Sequence, residues 1–241
     1  MSDEEAKAKQ EIAKTTGKGI DLAEKAGGFF SRVFGLPIED TVGALWGDKI
    51  RTFRIKNAID LANSVQEKMD QNDITDVRVV APKIAIPLIE SASLEDDPII
   101  IEMWENLLLS AVNSAEEEID KNYVKTLDLF TGSTALFLSY LYENRFVTRP
   151  ARPWEERESG KDTITVLGKF SYHNLKNATY SDHDIRSLIR FGVVDSTYRT
   201  IQLGEHDDRT DLEFEYYVSN GIEEFEFTDF GINFCGRVIG K

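Results

Sequence analysis

The sequence has 241 residues, of which 41% are hydrophobic, and a formal net charge of −15 at pH 7. A chain of this length and composition can bury a substantial core, as one large domain or two modest ones, which argues against an intrinsically disordered protein. Acidic residues outnumber basic ones by 43 to 28. Because such a surface repels a phosphate backbone, nonspecific nucleic-acid binding is disfavoured.

The sequence predicts a protein of the cytoplasm. Its first ten residues, MSDEEAKAKQ, are acidic and polar, unlike a secretory signal. The longest stretch free of charged residues, 129–142, is shorter than the roughly 20 apolar residues that a membrane-spanning helix needs. The single cysteine, Cys235, lies among apolar residues and has no partner for an internal disulfide, which favours a buried thiol in a reducing compartment.

Residues 1–40 form the first predicted domain, an amphipathic, glycine-rich N-terminal segment. Apolar residues recur near helical spacing up to Phe34, and Pro37 is expected to end the helix. Seven of the 16 glycines lie between Gly17 and Gly47. Because glycine weakens a helix interior, this helix is expected to need a partner surface.

The N-terminal segment also carries the predicted interface. Its large apolar side chains can enter a membrane surface, with Lys18, Lys25, Arg32 and Lys49 near lipid headgroups. The same pattern is typical of a helix packed within its protein or against another subunit, and neighbouring acids weaken attraction to anionic lipid, so packing is favoured. The predicted membrane or partner interface comprises Phe29, Phe30, Val33, Phe34, Leu36 and Trp46.

Residues 41–122 form the second predicted domain, a helical core. Apolar spacing predicts a long helix from Val42 that ends near Asn72, and a shorter helix over Lys83–Ala92. Asp97 followed by Pro98 marks the start of a helix that is apolar around most of its circumference and is therefore expected to be buried. The acids just before it, residues 95–97, are better explained by capping and the helix dipole than by a cation site.

Residues 123–241 form the third predicted domain, a winged-helix-like α+β unit. A short helix is expected near Val124–Leu129, and Ser133 is expected to cap the next one. Two prolines and eight charged residues predict an exposed loop or hairpin turn over Arg149–Asp162. The fold class expected for the whole chain is mainly α, with a helical core domain followed by this C-terminal unit.

The last third of the chain adds strands to helices. A capping box, Ser181 with Asp184, begins a helix that Gly192 closes, and Thr228 begins a final helix through Phe234. Alternating apolar residues predict four strands, Thr163–Leu167, Thr197–Leu203, Leu212–Val218 and Glu223–Phe227.

Residues that could carry chemistry occur only as fragments of known sites. His183 beside Asp184, and His206 before two aspartates, are candidates for a base or for metal ligands, but the spacing of a zinc site is missing. Phosphate-binding loops, dinucleotide motifs and serine-hydrolase elbows are also missing from the sequence. The sequence therefore assigns no catalytic residue, metal site or cofactor, and a protein that is not an enzyme is favoured.

The C-terminal unit offers a second kind of site. Arg186, Arg190 and Arg199 are candidates for phosphate contacts if the helix after Ser181 reads DNA. The surrounding acids favour protein contact instead.

The segment KIAIPLIESASLEDDPIIIEMWENLLLSAVN, residues 83–113, resembles the signature of the Abi-alpha family, bacterial proteins named for abortive infection and long grouped as a domain of unknown function. GDKIRTFRIKNA upstream, and IRSLIRFGVVD with FEFTDFGINFC downstream, resemble flanking parts of that family. The polar loop after Arg149 and the acidic C-terminal strands depart from its pattern. The residues that carry the signature are Leu88, Glu90, Ala92, Ser93, Leu94, Glu95, Asp96, Asp97, Trp104, Asn106, Leu107 and Leu108.

The resemblance implies a role in phage defence. The expected function is a noncatalytic, antiphage sensor or effector that acts by self-association or through a partner protein, with peripheral contact at the inner face of the cell membrane. The alternatives are a nucleic-acid-binding regulator that uses the C-terminal unit and an enzyme that uses His183 or His206.

Overall fold

The computed structural model describes residues 26–35, 51–150, 163–171, 181–199 and 222–240. The chain divides into two compact units: Met1–Phe130 with Arg237–Lys241, and Thr131–Gly236. The structure is mainly helical, as predicted. The domain boundaries expected from the sequence, 1–40, 41–122 and 123–241, stay a prediction.

The first unit is helical in its described residues. Pro98 begins the central helix, Pro98–Val112, and Asp97 caps it, as predicted, with the carboxylate accepting from the amides of Ile99 at 2.9 Å and Ile100 at 3.5 Å. The predicted helix from Val42 is described from Arg51 onward. The helices are α1 (residues 26–34), α2 (Arg51–Gln71), α3 (Pro82–Ala92), α4 (Pro98–Val112) and α5 (Lys121–Leu127).

Helix α4 lies at the centre of this core. Trp104 is 1% exposed and Leu107 is fully buried, while Glu102 is exposed and Ile101 partly so. The helix is therefore buried around most of its circumference but not all of it. Burying such side chains is the main favourable contribution to the stability of this unit.

Helix α1 ends at Phe34, three residues before Pro37, which was predicted to end it. Gly35 adopts φ +66°, and its amide donates to the carbonyl of Ser31 at 3.0 Å. Glycine is the usual residue at this left-handed position because it has no Cβ to clash. The carbonyl of Val33 accepts from the amide of Val80 at 2.8 Å, which ties the end of α1 to residues 76–80.

Asn106 connects three parts of the first unit. Its amide oxygen accepts from Lys68 Nζ at 2.7 Å, and its Nδ2 donates to the carbonyl of Val238 at 3.0 Å. Lys68 also pairs with Glu105 at 2.9 Å. The residue is polar within an apolar helix because it satisfies a carbonyl at the end of the last helix.

Asn106→Ala is expected to lower the free energy of unfolding by about 1–2 kcal/mol, because the Val238 carbonyl loses its side-chain partner. Urea unfolding followed by circular dichroism measures the change. Asn122→Ala, at an exposed helical position, is the matched control and is expected to change stability by less than about 0.5 kcal/mol. Equal effects of the two substitutions would contradict this role for Asn106.

The second unit combines helices with two antiparallel sheets. Its elements are α6 (Gly132–Glu143), β1 (Phe146–Pro150), β2 (Thr163–Leu167), β3 (Phe170–Ser171), α7 (Asp182–Arg190), β4 (Val194–Arg199), β5 (Ile222–Phe227) and α8 (Asp229–Val238). Strand β1 pairs with β2, and the second sheet has the order β3-β5-β4.

Several predictions for this unit are confirmed, and β1 and β2 pair as the two arms of the hairpin predicted at this place. Strand Thr163–Leu167 is found as predicted, whereas β1 takes up Arg149 and Pro150 at the start of the predicted loop. Proline is compatible with an edge strand, so its presence did not exclude one. The predicted strand over 212–218 and residues 151–162 lie outside the described residues.

The predicted cap of α6 is wrong. Thr131, not Ser133, caps α6, by accepting from the amide of Thr134 at 3.3 Å. Ser133 instead donates to Asp184, 51 residues away. A hydroxyl near the start of a helix can cap that helix or bond to a distant side chain. The local sequence does not distinguish these two roles.

Asp184 joins α6 to α7 inside the second unit. It forms the predicted capping box with Ser181, and its buried carboxylate accepts from Ser133 Oγ at 2.6 Å and Thr134 Oγ1 at 3.0 Å. Burial alone would raise the pKa of Asp184, but the hydrogen bonds from Ser133, Ser181 and Thr134 outweigh it and hold the pKa below its usual value.

Helix α8 approaches the backbone before β4 closely. Thr228 Oγ1 accepts from the amide of Gly231 at 2.8 Å, which confirms the predicted helix start. A Cβ on Gly231 would lie 2.8 Å from the carbonyl carbon of Val193. Cys235 is buried as predicted, and burial raises the pKa of its thiol.

None of the helices in the described ranges is long and apolar enough to cross a bilayer.

Candidate functional site

The signature loop, residues 93–97, joins α3 to α4 and is held by two side chains of α2. Arg54 donates from Nε to Ser93 Oγ at 3.2 Å and from Nη2 to the carbonyl of Glu90 at 3.3 Å. Asn57 Nδ2 donates to the carbonyls of Ser93 at 3.1 Å and Glu95 at 3.2 Å. Because Arg54 and Asn57 are three residues apart on one face of α2, both side chains reach the loop from the same helix.

The acids of the signature loop complete its internal bonding. Glu95 Oε1 accepts from the amides of Asp96 and Asp97, each at 2.9 Å, and Asp97 caps α4. The predicted explanation of these acids by capping is confirmed for Asp97. Glu95 has a role that the sequence did not indicate, since it orders the loop before the cap.

An open cleft of about 340 Å³ borders the signature loop. We call it the acidic cleft; it is lined by Arg54, Glu90, Ser91, Leu94, Glu95 and Asp128. A smaller cavity of about 80 Å³ also touches Glu95 and extends to Asn57 and Trp104. Three carboxylates and one guanidinium thus surround the larger cleft.

One large apolar side chain is exposed in the lining of the acidic cleft. Leu94 is 50% exposed there, between the carboxylates of Glu90 and Glu95 in the sequence. Phe53 and Leu129, at 45% and 60% exposed, are next in sequence to the lining residues Arg54 and Asp128 but do not line the cleft. An exposed leucine in a concave, charged lining can contribute apolar contact to an interaction site.

The predicted interface residues of the N-terminal segment lie elsewhere in the first unit. Phe29, Phe30, Val33 and Phe34 are buried, at most 4% exposed, and the three rings pack with centroids 5.4–6.5 Å apart. The sequence offered two explanations for these side chains, packing and membrane contact. In the structure they pack inside the protein. Leu36 and Trp46 lie outside the described residues, and the interface stays a prediction.

Among the residues that the structure describes, the candidates for chemistry are not assembled into one site. His183 is exposed in the first turn of α7, as expected, while its neighbour Asp184 is buried and hydrogen-bonded. Within the described ranges, no three His, Cys, Asp or Glu side chains are grouped so that they could hold a metal ion. His173 and His206 lie outside these ranges.

The arginines proposed for phosphate contact are placed in part. Arg186 and Arg190 are exposed on α7, and Arg186 pairs with Asp182 at 2.8 Å. The backbone of Arg199 ends β4. An acidic partner on the same helix reduces the positive potential that DNA binding needs.

Sequence reasoning missed the acidic cleft and its clamp residues, Arg54 and Asn57. The one available signal was Leu94, an apolar residue within the polar stretch ESASLEDD. Its exposure could not be inferred from spacing, because the position lies just beyond the end of α3.

Comparison with known proteins finds one similarity. A family model described as "Abortive infection alpha" matches residues 54–238. No curated protein and no solved structure matches the chain.

Proposed function

The chain belongs to the abortive infection alpha family, and from this premise we propose that it defends bacteria against phage by noncatalytic protein contact at the acidic cleft. Family membership implies an abortive-infection defence protein. The mechanism is our proposal, because a family name by itself does not define a mechanism.

One observation supports contact at the cleft above others: Leu94 is exposed on a loop that other residues hold firmly. Trp104 and Asn106 of the same signature are explained by packing and hydrogen bonding inside the unit. Leu94 instead lines the cleft with half of its surface exposed. An apolar side chain on a loop whose backbone is already hydrogen-bonded is suited to anchor a partner, because the loop backbone needs little further ordering on binding.

Phage challenge of bacteria that express the chain tests this function. We expect lower phage yield or altered host survival for the natural sequence, and about a tenfold loss of protection for Leu94→Ser, since the burial of one leucine at an interface contributes about that factor. Leu136→Ser, at a similarly exposed leucine of α6, is the matched control and should protect normally.

Unchanged phage yield and host survival across a broad phage panel would refute the defence role. Full protection by Leu94→Ser, at equal protein level, would refute the use of the cleft.

Peripheral membrane contact is a separable part of the proposal, in a protein that we place in the cytoplasm. The apolar face of α1 supports it, although contact through this face requires the buried phenylalanines to become exposed. Liposome flotation of the intact protein tests it. Failure to float with anionic vesicles would remove the membrane from the proposal.

A nucleic-acid-binding regulator remains the second candidate. The order β3-β5-β4, with α7 directly before β4, resembles the arrangement of a winged helix and supports this alternative. Gel-shift measurements at low salt, where electrostatic attraction is strongest, test it. The absence of any shift with DNA or RNA would exclude it.

A further inference from the structure

We propose that the acidic cleft binds a basic amphipathic segment of a partner protein, with a Lys or Arg among the carboxylates and an apolar side chain on Leu94. This inference rests on the proposed function and specifies the chemistry of the partner. The positions of the carboxylates on the helices that surround the cleft support it.

Two carboxylates of the acidic cleft lie at the C-terminal ends of their helices, where negative charge is unfavourable. Asp128 is the C-cap residue of α5, and Glu90 lies in the last turn of α3. The carbonyls at a helix C-terminus carry partial negative charge, so an acid there is unfavourable and a base is preferred. Residues that oppose a local preference are found mostly at functional sites.

The ends of α3 and α5 add their own negative potential to the cleft. Glu90 and Asp128 line the same cavity, which brings the negative ends of the two helices to one place. Arg54 offsets part of this charge, and its guanidinium donates to the carbonyl of Glu90 and the hydroxyl of Ser93. The lining still contains three carboxylates against one guanidinium, so a cation entering the cleft is stabilised.

The exposed side chain of Leu94 indicates that this cation belongs to an amphipathic segment. Leu94 lies in the lining of the acidic cleft and is 50% exposed. A basic helix or loop with one apolar face would pair with the carboxylates and bury Leu94. A second copy of the chain is a poor occupant, because each copy carries a net charge of −15.

Titration of the full-length chain with synthetic peptides tests the proposal. The probe is a helical peptide of about 15 residues, roughly four turns, with Lys on one face and Leu on the other. One comparison peptide replaces each Lys with Glu, and another replaces each Leu with Ser. Calorimetry measures affinity, and NMR chemical shifts of the backbone amides locate the binding site.

We expect the Lys and Leu peptide to bind and to shift the amides of Glu90, Leu94 and Asp128, while both comparison peptides bind at least about tenfold more weakly. Leu94→Ser and Asp128→Lys should each lower the affinity by about tenfold. Asp128→Lys places a base at a helix C-terminus, which the helix dipole favours, so loss of binding would not reflect unfolding.

Leu136→Ser and Glu67→Lys, at exposed positions outside the cleft lining, are the matched controls and should bind normally. Absence of binding, equal binding by the Glu peptide, or equal affinity of the cleft variants and the controls would overturn the proposal. Phage challenge tests the defence role independently of peptide binding. If the chain protects cells but does not bind the peptide, only the proposed chemistry of the partner is refuted.

Discussion

Gly231→Ala is expected to destabilise the second unit by about 3 kcal/mol, the upper range for overpacking a buried site. The added methyl group would lie 2.8 Å from the carbonyl carbon of Val193 and closer still to its oxygen. The Val193 carbonyl has little freedom to move, because it accepts from the amide of Thr228 at 3.1 Å. Either α8 or the backbone before β4 must therefore shift.

Gly236→Ala in the same helix is the matched control. A Cβ there would lie 3.6 Å from Tyr142 Oη, an ordinary contact, so the higher helix propensity of alanine should leave stability unchanged or raise it by up to about 1 kcal/mol. Urea unfolding of both variants measures the difference. Equal stability of the two would show that α8 does not approach Val193 as closely as described.

Asp184→Ala is expected to destabilise the second unit by about 3 kcal/mol. Removing this carboxylate leaves the hydroxyls of Ser133 and Thr134 without their acceptor and breaks the capping box with Ser181. Hydrogen bonds to a charged group contribute about 1.5–3 kcal/mol, and the loss of a cap costs about 1 kcal/mol, although the two effects overlap. Asp184→Asn keeps the shape and should have a smaller effect.

Asp182→Ala, at the exposed acid in the first turn of the same helix, is the control for Asp184→Ala. It removes a surface ion pair with Arg186 and should cost only about 0.5 kcal/mol. A comparable cost for both substitutions would contradict the buried network.

The contribution of Asp184 should also depend on pH. Its pKa is held below the usual value, so its stabilising effect is complete above the pKa of an unfolded aspartate, about 3.9. It is lost as the pH falls through the lower pKa of the folded state. The stability difference between the natural chain and Asp184→Asn should therefore shrink between about pH 5 and pH 2, and a constant difference would argue against this ionised network.

Local signals in the sequence determined where several elements begin and end. Asp97 with Pro98, Ser181 with Asp184, and Thr228 were recognised as helix starts, because a cap bonds to amides only two or three residues away. Gly192, with φ +72°, closes α7 for an equally local reason. Local signals were not sufficient at α6, because several neighbouring hydroxyls could serve as its cap. The cap is Thr131 and not the predicted Ser133.

Longer patterns determined the family and the mainly helical fold. Apolar spacing predicted α3 and α4, and the resemblance carried by residues 83–113 agrees with a family match over residues 54–238. Strand β1 was not predicted, because Arg149 and Pro150 at its end resemble the start of a loop and pairing with β2 is not visible in the sequence.

The candidate site was decided by tertiary structure alone. The net charge and the acids of the signature loop are visible in the sequence, and they indicate an acidic protein with a capped central helix. The clamp joins Arg54 to Ser93 across 39 residues, and the buried network joins Ser133 to Asp184 across 51. No periodic pattern specifies such pairs, because they depend on which helix faces meet. Exposure of Leu94 beside carboxylates at two helix ends follows from the same packing, so the candidate site became apparent only in the folded chain.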